Sequence, residues 1–175
     1  VNAWLWLVPL ESNSQDNDYL QVSFFDVGQG DSIFVETPEN IQVLIDGGRG
    51  SSVLRELGKV MSVGDRYIDI VIATHPDQDH IGGLVEVLER YEVGMILLTE
   101  KKSETTVSDR FASLVEEEEA EVVYARRNQL FTLGASTTLR VLFPVGNTSE
   151  MESNQSSIIT QIKHEEVEFL SLIHI

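Results

Sequence analysis

The sequence predicts an α/β (α+β) fold, a layered domain on a mixed sheet, and three observations lead there. Three short runs rich in β-branched and aromatic residues come first, separated by turn residues. From residue 51 onward, stretches with helical apolar spacing alternate with short apolar strands. Finally, 42% of the 175 residues are hydrophobic, enough to bury one globular core. Strands followed by strand–helix alternation is the pattern of helices laid against a mixed sheet.

Each element follows in order. Leu20 to Val27, Asp31 to Thr37 and Ile41 to Ile45 read as a β-meander, with "DVGQGD" and "TPEN" supplying its turns. Ser51 to Met61 carries apolar residues at 53, 54, 57, 60 and 61, a helical spacing. Ile68 to Ala73 ("IDIVIA") is a short buried strand, and helical period resumes from Ile81 to Tyr91. Val93 to Leu98 predicts a strand, Val107 to Ala120 a helix and Glu121 to Ala125 another strand. Thr137 to Phe143, Ser157 to Lys163 and Val167 to Leu172 complete the set, with a polar loop from Gly146 to Gln155.

The ends are less ordinary. Val1 to Leu10 ("VNAWLWLVPL") is apolar with two tryptophans, yet a bilayer span needs about 20 residues. It reads either as an edge strand or disordered start, or as the last turns of a membrane helix with Trp4 and Trp6 at the interface. A polar linker, Glu11 to Tyr19, leads from it into the domain spanning 20–170.

Composition excludes several functions. There is no cysteine, so neither a disulfide framework nor a thiolate metal site is available. The formal charge of −17 opposes binding of a polyanion through a basic surface. Bound divalent ions are the exception, because they invert the local charge balance.

The chemistry concentrates in Thr74 to Gly83, "THPDQDHIGG", between the buried strand and the next helix. His75 and Asp77 can face one centre while Asp79 and His80 reach a second, so a single loop can ligate two ions. Two imidazoles with two carboxylates suit zinc, manganese or iron and disfavour calcium. Two glycine-rich stretches precede the loop. In "DVGQGD", Gly28 and Gly30 supply positive φ between Asp26 and Asp31. "LIDGG" ends a strand on Asp46, followed by Gly47 and Gly48, where the aspartate is placed to bond a ligand histidine and fix its tautomer. Gly82 and Gly83 let the backbone pass close to the site.

"FFDVGQGDSIFVETPENIQVLIDGG" followed by "IDIVIATHPDQDHIGGLVEVLERY" resembles the metallo-β-lactamase-fold domain of the ComEC family, the channel proteins of bacterial DNA uptake. The resemblance implies an αββα sandwich, incomplete at the C-terminus. It also implies a hydrolase of the phosphodiesterase or nuclease type holding two divalent ions, zinc or manganese. His75, Asp77, Asp79 and His80 match the metal loop, with Asp79 as the catalytic carboxylate. Asp26, Gly28, Gly30, Asp31, Asp46, Gly47, Gly48 and Gly82 are the supporting positions, and Asn154 and Ser157 line the site. The implied partners are single-stranded DNA, reached through the metals, and the membrane channel domain of the same protein. No small-molecule cofactor is expected. The implied location is the cell membrane, as a soluble domain attached to a multi-pass protein, which makes residues 1–10 the end of a membrane helix.

At the far end, the family continues after "VEFL" into a Leu-Thr-Gly-Asp stretch whose aspartate bridges the metals, where this chain reads Ser171 to Ile175, "SLIHI". Those five residues read as a non-native tail, His174 is not adopted as a ligand, and the fragment as given is expected to be inactive. Two other functions stand beside the nuclease: a secreted lactamase-like hydrolase of a small ester or amide, and a non-catalytic module of the channel protein.

Overall fold

The computed structural model describes residues 5–7 and 19–171. Six strands form one mixed sheet: β2 (Gln21–Phe24), β3 (Ile33–Glu36), β4 (Gln42–Ile45), β5 (Tyr67–Ile72), β6 (Glu92–Leu98) and β7 (Glu121–Tyr124), side by side in that order. The meander β2–β3–β4 is antiparallel, and β4 to β7 run parallel. Each parallel crossover carries a helix: α1 (Ser52–Val60), α2 (Gln78–Leu88) and α3 (Thr106–Glu117). A second sheet, in the order β1 (Leu5–Leu7), β8 (Leu130–Thr132), β9 (Thr137–Phe143), β10 (Ile159–His164), β11 (Val167–Ser171), is antiparallel except at β1–β8.

Side-chain alternation separates two cores. Val43 and Ile45 on β4, with Ile70 and Ile72 on β5, point toward the second sheet and pack with Phe131, Leu139, Val141 and Ile162. Leu44 and Val71 point the other way, onto Val53, Leu57, Leu84, Val87, Phe111 and Leu114 of the three helices. The layers are therefore helix, sheet, sheet. These are three of the four layers of an αββα sandwich, and among the described residues no α-helix covers the outer face of the second sheet.

Some boundaries differ from the sequence pattern. The strand β8 was not anticipated; at three residues it is too short to show a period, and pairing with β1 and β9 creates it. The helix expected from Ile81 begins at Gln78, because the Asp77 carbonyl already accepts from His80 N and Ile81 N. Asp79 and His80 therefore sit on the first turn of a helix instead of a loop. The polar stretch before β10 contains a 3₁₀ turn at Asn154–Ser156, which delays the strand from Ser157 to Ile159. Of the apolar start, Leu5–Leu7 is described, as a strand; residues 1–4, the linker at 8–18 and residues 172–175 lie outside the described residues. Among the described residues, no helix is long and apolar enough to cross a membrane.

Candidate metal centre

The carboxyl ends of β4 and β5 meet at one edge of the six-stranded sheet, the usual position for a site in such a fold. β4 delivers Asp46 and β5 delivers Thr74 and His75, while α2 brings His80 back over both. Asp46 adopts a left-handed φ of 57°. It is held there by Asp46 N donating to Ile72 O at 2.9 Å and by Ser32 Oγ donating to Asp46 O at 2.9 Å.

The glycines explain how these segments come so close. A Cβ at Gly83 would lie 1.9 Å from Gly47 O, and one at Gly30 would lie 1.6 Å from Asp79 O. The "DVGQGD" turn is thus pressed against the first turn of α2, and "LIDGG" against its second. Three backbone bonds close the contacts: Gly47 N to His80 O at 2.8 Å, Gly83 N to Gly48 O at 2.8 Å and Gly48 N to Asp31 O at 3.0 Å.

Asp46 is 1% exposed, and its carboxylate organises two imidazoles. Oδ1 accepts from Thr74 N at 2.9 Å, while Oδ2 accepts from Thr74 Oγ1 at 2.6 Å and lies 2.8 Å from His80 Nδ1. His80 must therefore carry its proton on Nδ1, leaving Nε2 with a lone pair. The same logic passes through Thr74. Its only hydroxyl hydrogen goes to Asp46, so the 3.1 Å contact between Thr74 Oγ1 and His75 Nδ1 must be donated by the ring. His75 too is left with Nε2 free, 3.5 Å from Asp77 Oδ2. The two rings lie 4.0 Å apart between centroids. Burial lowers the His75 pKa, helped by the charge of His80. For His80 burial opposes the charge, but the Asp46 hydrogen bond and the carboxylates of Asp46, Asp79 and Asp31 outweigh it, so its pKa is raised.

Asp46, His75 and His80 each place a donor atom within 4.8 Å of the others, a spacing that suits a metal ion. Asp46 is nevertheless better described as an orienting group, since both its oxygens already accept hydrogen bonds and it is sealed from solvent. The open donors lie toward a cleft of about 430 Å³ lined by Gly30, Asp31, His75, Asp77, Asp79, His80 and Asn154. Two Nε2 lone pairs and three carboxylates, without Lys or Arg in the lining, fit a divalent cation. Uncompensated, the same set would repel any anionic substrate.

The sequence-predicted residues divide accordingly. His75, Asp77, Asp79, His80, Gly30, Asp31 and Asn154 converge on the cleft, with Asp46 behind them. Gly47, Gly48 and Gly82 are buried in the α2 contact. Asp26 and Gly28 do not reach the cleft: Asp26 is exposed and meets Arg55 only through its carbonyl, and Gly28 has open space around it. Ser157, expected to line the site, is buried and outside the cleft lining, its Oγ without a partner among the described residues.

Three contributors were not singled out from sequence. Thr74 is adjacent to His75, but its bridging role needs Asp46 in three dimensions. Gln29 donates to Asp79 Oδ2 at 3.4 Å and accepts from Arg49 Nη1 at 2.7 Å. Ser153 donates to Asp77 Oδ1 at 2.5 Å, across 76 residues of chain that no local pattern could span.

Comparison with known proteins agrees with this fold. The family model of the metallo-beta-lactamase superfamily matches residues 25–147. ComE operon protein 3 of Bacillus subtilis (strain 168) is 26% identical over 156 residues, which cover 79% of this chain and 20% of that protein. The chain thus spans about a fifth of that relative's length. A Cronobacter sakazakii metallo-β-lactamase with the HARLDQ motif superposes with a TM-score of 0.59 at 14% identity, covering 86% of this chain and 58% of that one. CmlA, a diiron β-hydroxylase from Streptomyces venezuelae, gives 0.53 at 19% identity, covering 86% and 29%. The metallo-β-lactamase fold protein YhfI from Bacillus subtilis gives 0.53 at 17%, covering 86% and 60%. From its layered fold, its divalent-metal donor set and a family match over most of its length, the chain belongs to the metallo-β-lactamase superfamily.

Proposed function

We propose that this chain is the metal-dependent hydrolase domain of a ComEC-like DNA-uptake protein, cleaving phosphodiester bonds of single-stranded DNA beside the membrane channel of the same protein. The observation that carries the reading is the pair of buried imidazoles, both held with Nε2 free above a cleft of carboxylates. The motif resemblance to the ComEC family supports the DNA-uptake setting and the membrane attachment, and the similarity to ComE operon protein 3 is consistent with it.

In this reading His75, Asp77, Asp79 and His80 hold two ions, zinc or manganese by the mixture of imidazole and carboxylate. Divalent ions there supply positive charge to a phosphodiester and acidify a bound water. Asp46 and Thr74 keep both rings in the required tautomer throughout. Asp79, half-buried in the cleft and bonded by Gln29 at 3.4 Å, is the catalytic carboxylate and receives a proton. Asn154, on the opposing segment, offers amide hydrogens to a substrate oxygen.

The test is cleavage of single-stranded DNA by the full-length protein carrying this domain, with Mn²⁺ or Zn²⁺ supplied. His75→Ala and Asp79→Ala should each abolish divalent-dependent cleavage, and cleavage that survives both sinks the proposal. Hydrolysis of a small ester or amide with DNA untouched would replace it with a lactamase-like activity. Metal binding with no hydrolysis would make the domain a non-catalytic module.

A further inference from the structure

We propose that Ser153 is a positioning residue that fixes Asp77 as a one-oxygen donor beside His75, an inference that rests on the metal-binding reading above. An imidazole with Nδ1 engaged has a single nitrogen left to offer. A carboxylate has two equivalent oxygens, so it can rotate or chelate through both unless one is occupied. Ser153 Oγ occupies one: it donates to Asp77 Oδ1 at 2.5 Å, a charge-assisted length, while Oδ2 faces His75 Nε2 at 3.5 Å. The local alternative is not used. Asp77 sits at the N-cap of α2, where an aspartate commonly bonds the first helical amides, yet its side chain makes no such bond.

Ser153 is itself held in place. Its carbonyl accepts from Ser156 N at 3.0 Å and from Ser156 Oγ at 2.6 Å. Ile158 N donates to Thr74 O at 2.9 Å, locking this segment to the one carrying His75. Upstream, Thr148 accepts from Glu100 N at 3.0 Å and lies 2.5 Å from Thr99 Oγ1, while Glu100 pairs with Arg126. The segment from Thr148 to Ile158 is thus a strap from the second sheet, fastened at both ends, with Ser153 aimed at the metal loop.

The experiment titrates the metal-free full chain with Mn²⁺ by calorimetry, comparing wild type with Ser153→Ala and Ser153→Thr. Ser153→Ala should weaken Mn²⁺ binding by about tenfold or more with an unchanged melting temperature in EDTA, and Ser153→Thr, which keeps the hydroxyl, should restore affinity. The carboxylate infrared bands of Asp77, assigned by difference against Asp77→Asn, should move from one-oxygen to two-oxygen splitting in Ser153→Ala. If wild type binds and Ser153→Ala binds within twofold of it, the inference is overturned and the metal reading stands. A lowered melting temperature with unchanged Asp77 splitting also overturns it, because the hydroxyl would then be merely structural. Absence of Mn²⁺ binding by wild type removes the metal reading and this inference together.

Discussion

The site has two halves built on different terms. The inner half, Asp46, Thr74, His75 and His80, is at most 6% exposed at any member, and every polar side-chain atom that sets a tautomer has a named partner. The outer half, Asp31, Asp77, Asp79 and Asn154, lines the cleft, where Ser153 steadies the Asp77 carboxylate and Gln29 that of Asp79. Buried hydrogen bonds are costly to leave unmade, whereas partly solvated carboxylates can turn to water. The inner half should therefore carry folding stability as well as geometry, and the outer half should carry ion binding alone.

The strongest way to break that contrast is Asp46→Ala. It leaves Thr74 N, Thr74 Oγ1 and His80 Nδ1 without their buried acceptor, and the expected cost is about 3–5 kcal/mol. Urea denaturation in EDTA measures it, and a loss below about 1 kcal/mol would show that the inner half is not a stability element. Gly30→Ala comes next. Its Cβ would meet Asp79 O at 1.6 Å at a φ of 90°, whereas Gly28, at φ 82°, has nothing within 4 Å. Both substitutions incur the left-handed penalty of about 1–2 kcal/mol, so the difference between them isolates the contact with α2. Gly30→Ala should be the clearly worse variant by thermal melting.

Third in size is Asp79→Ala. Asp79 is only partly buried, and its one side-chain bond among the described residues is 3.4 Å long, so stability in EDTA should stay within about 0.5 kcal/mol. Mn²⁺ affinity should nevertheless fall by at least about tenfold. A variant that loses stability without losing the ion would reverse the assignment of the two halves.

What could be read from the sequence divides along another line. Asp46, His75 and His80 of the inner half, with Asp77 and Asp79 of the outer, were legible because "LIDGG" and "THPDQDH" each end an apolar strand, where side chains converge. The Thr74 bridge was not, because it exists only once Asp46 is in place. The six-stranded sheet was legible for a related reason: Val43, Ile45, Ile70 and Ile72 form continuous apolar runs. The helix start at Gln78 was not, since Gln78 and Asp79 look like loop residues until the Asp77 carbonyl is seen to begin the helix. Ser153 was invisible because a hydroxyl 76 residues from its carboxylate leaves no periodic or spacing signal. β8 gains its identity from its neighbours β1 and β9.

The smallest effect is a pH dependence that separates the two histidines. His80 has a raised pKa in the fold, so the fold holds its proton more tightly than the unfolded chain does. Its contribution is fully present below the ordinary imidazole value of 6.5 and is lost as pH rises through the raised value. His75 has a lowered pKa, because burial excludes its charge. Its contribution is present above 6.5 and is lost as pH falls through the lowered value. The two windows lie on opposite sides of 6.5, so their joint contribution in EDTA peaks near that pH. His80→Gln should flatten the alkaline limb of the stability profile and His75→Gln the acid limb. In a proton NMR titration His80 should titrate above His75, and Asp46→Asn should bring the midpoints closer, because Asp46 raises His80 through a hydrogen bond and its charge but His75 through its charge alone. If the two rings titrate together in the wild-type chain, Asp46 does not distinguish them, and the inner half loses its organising carboxylate.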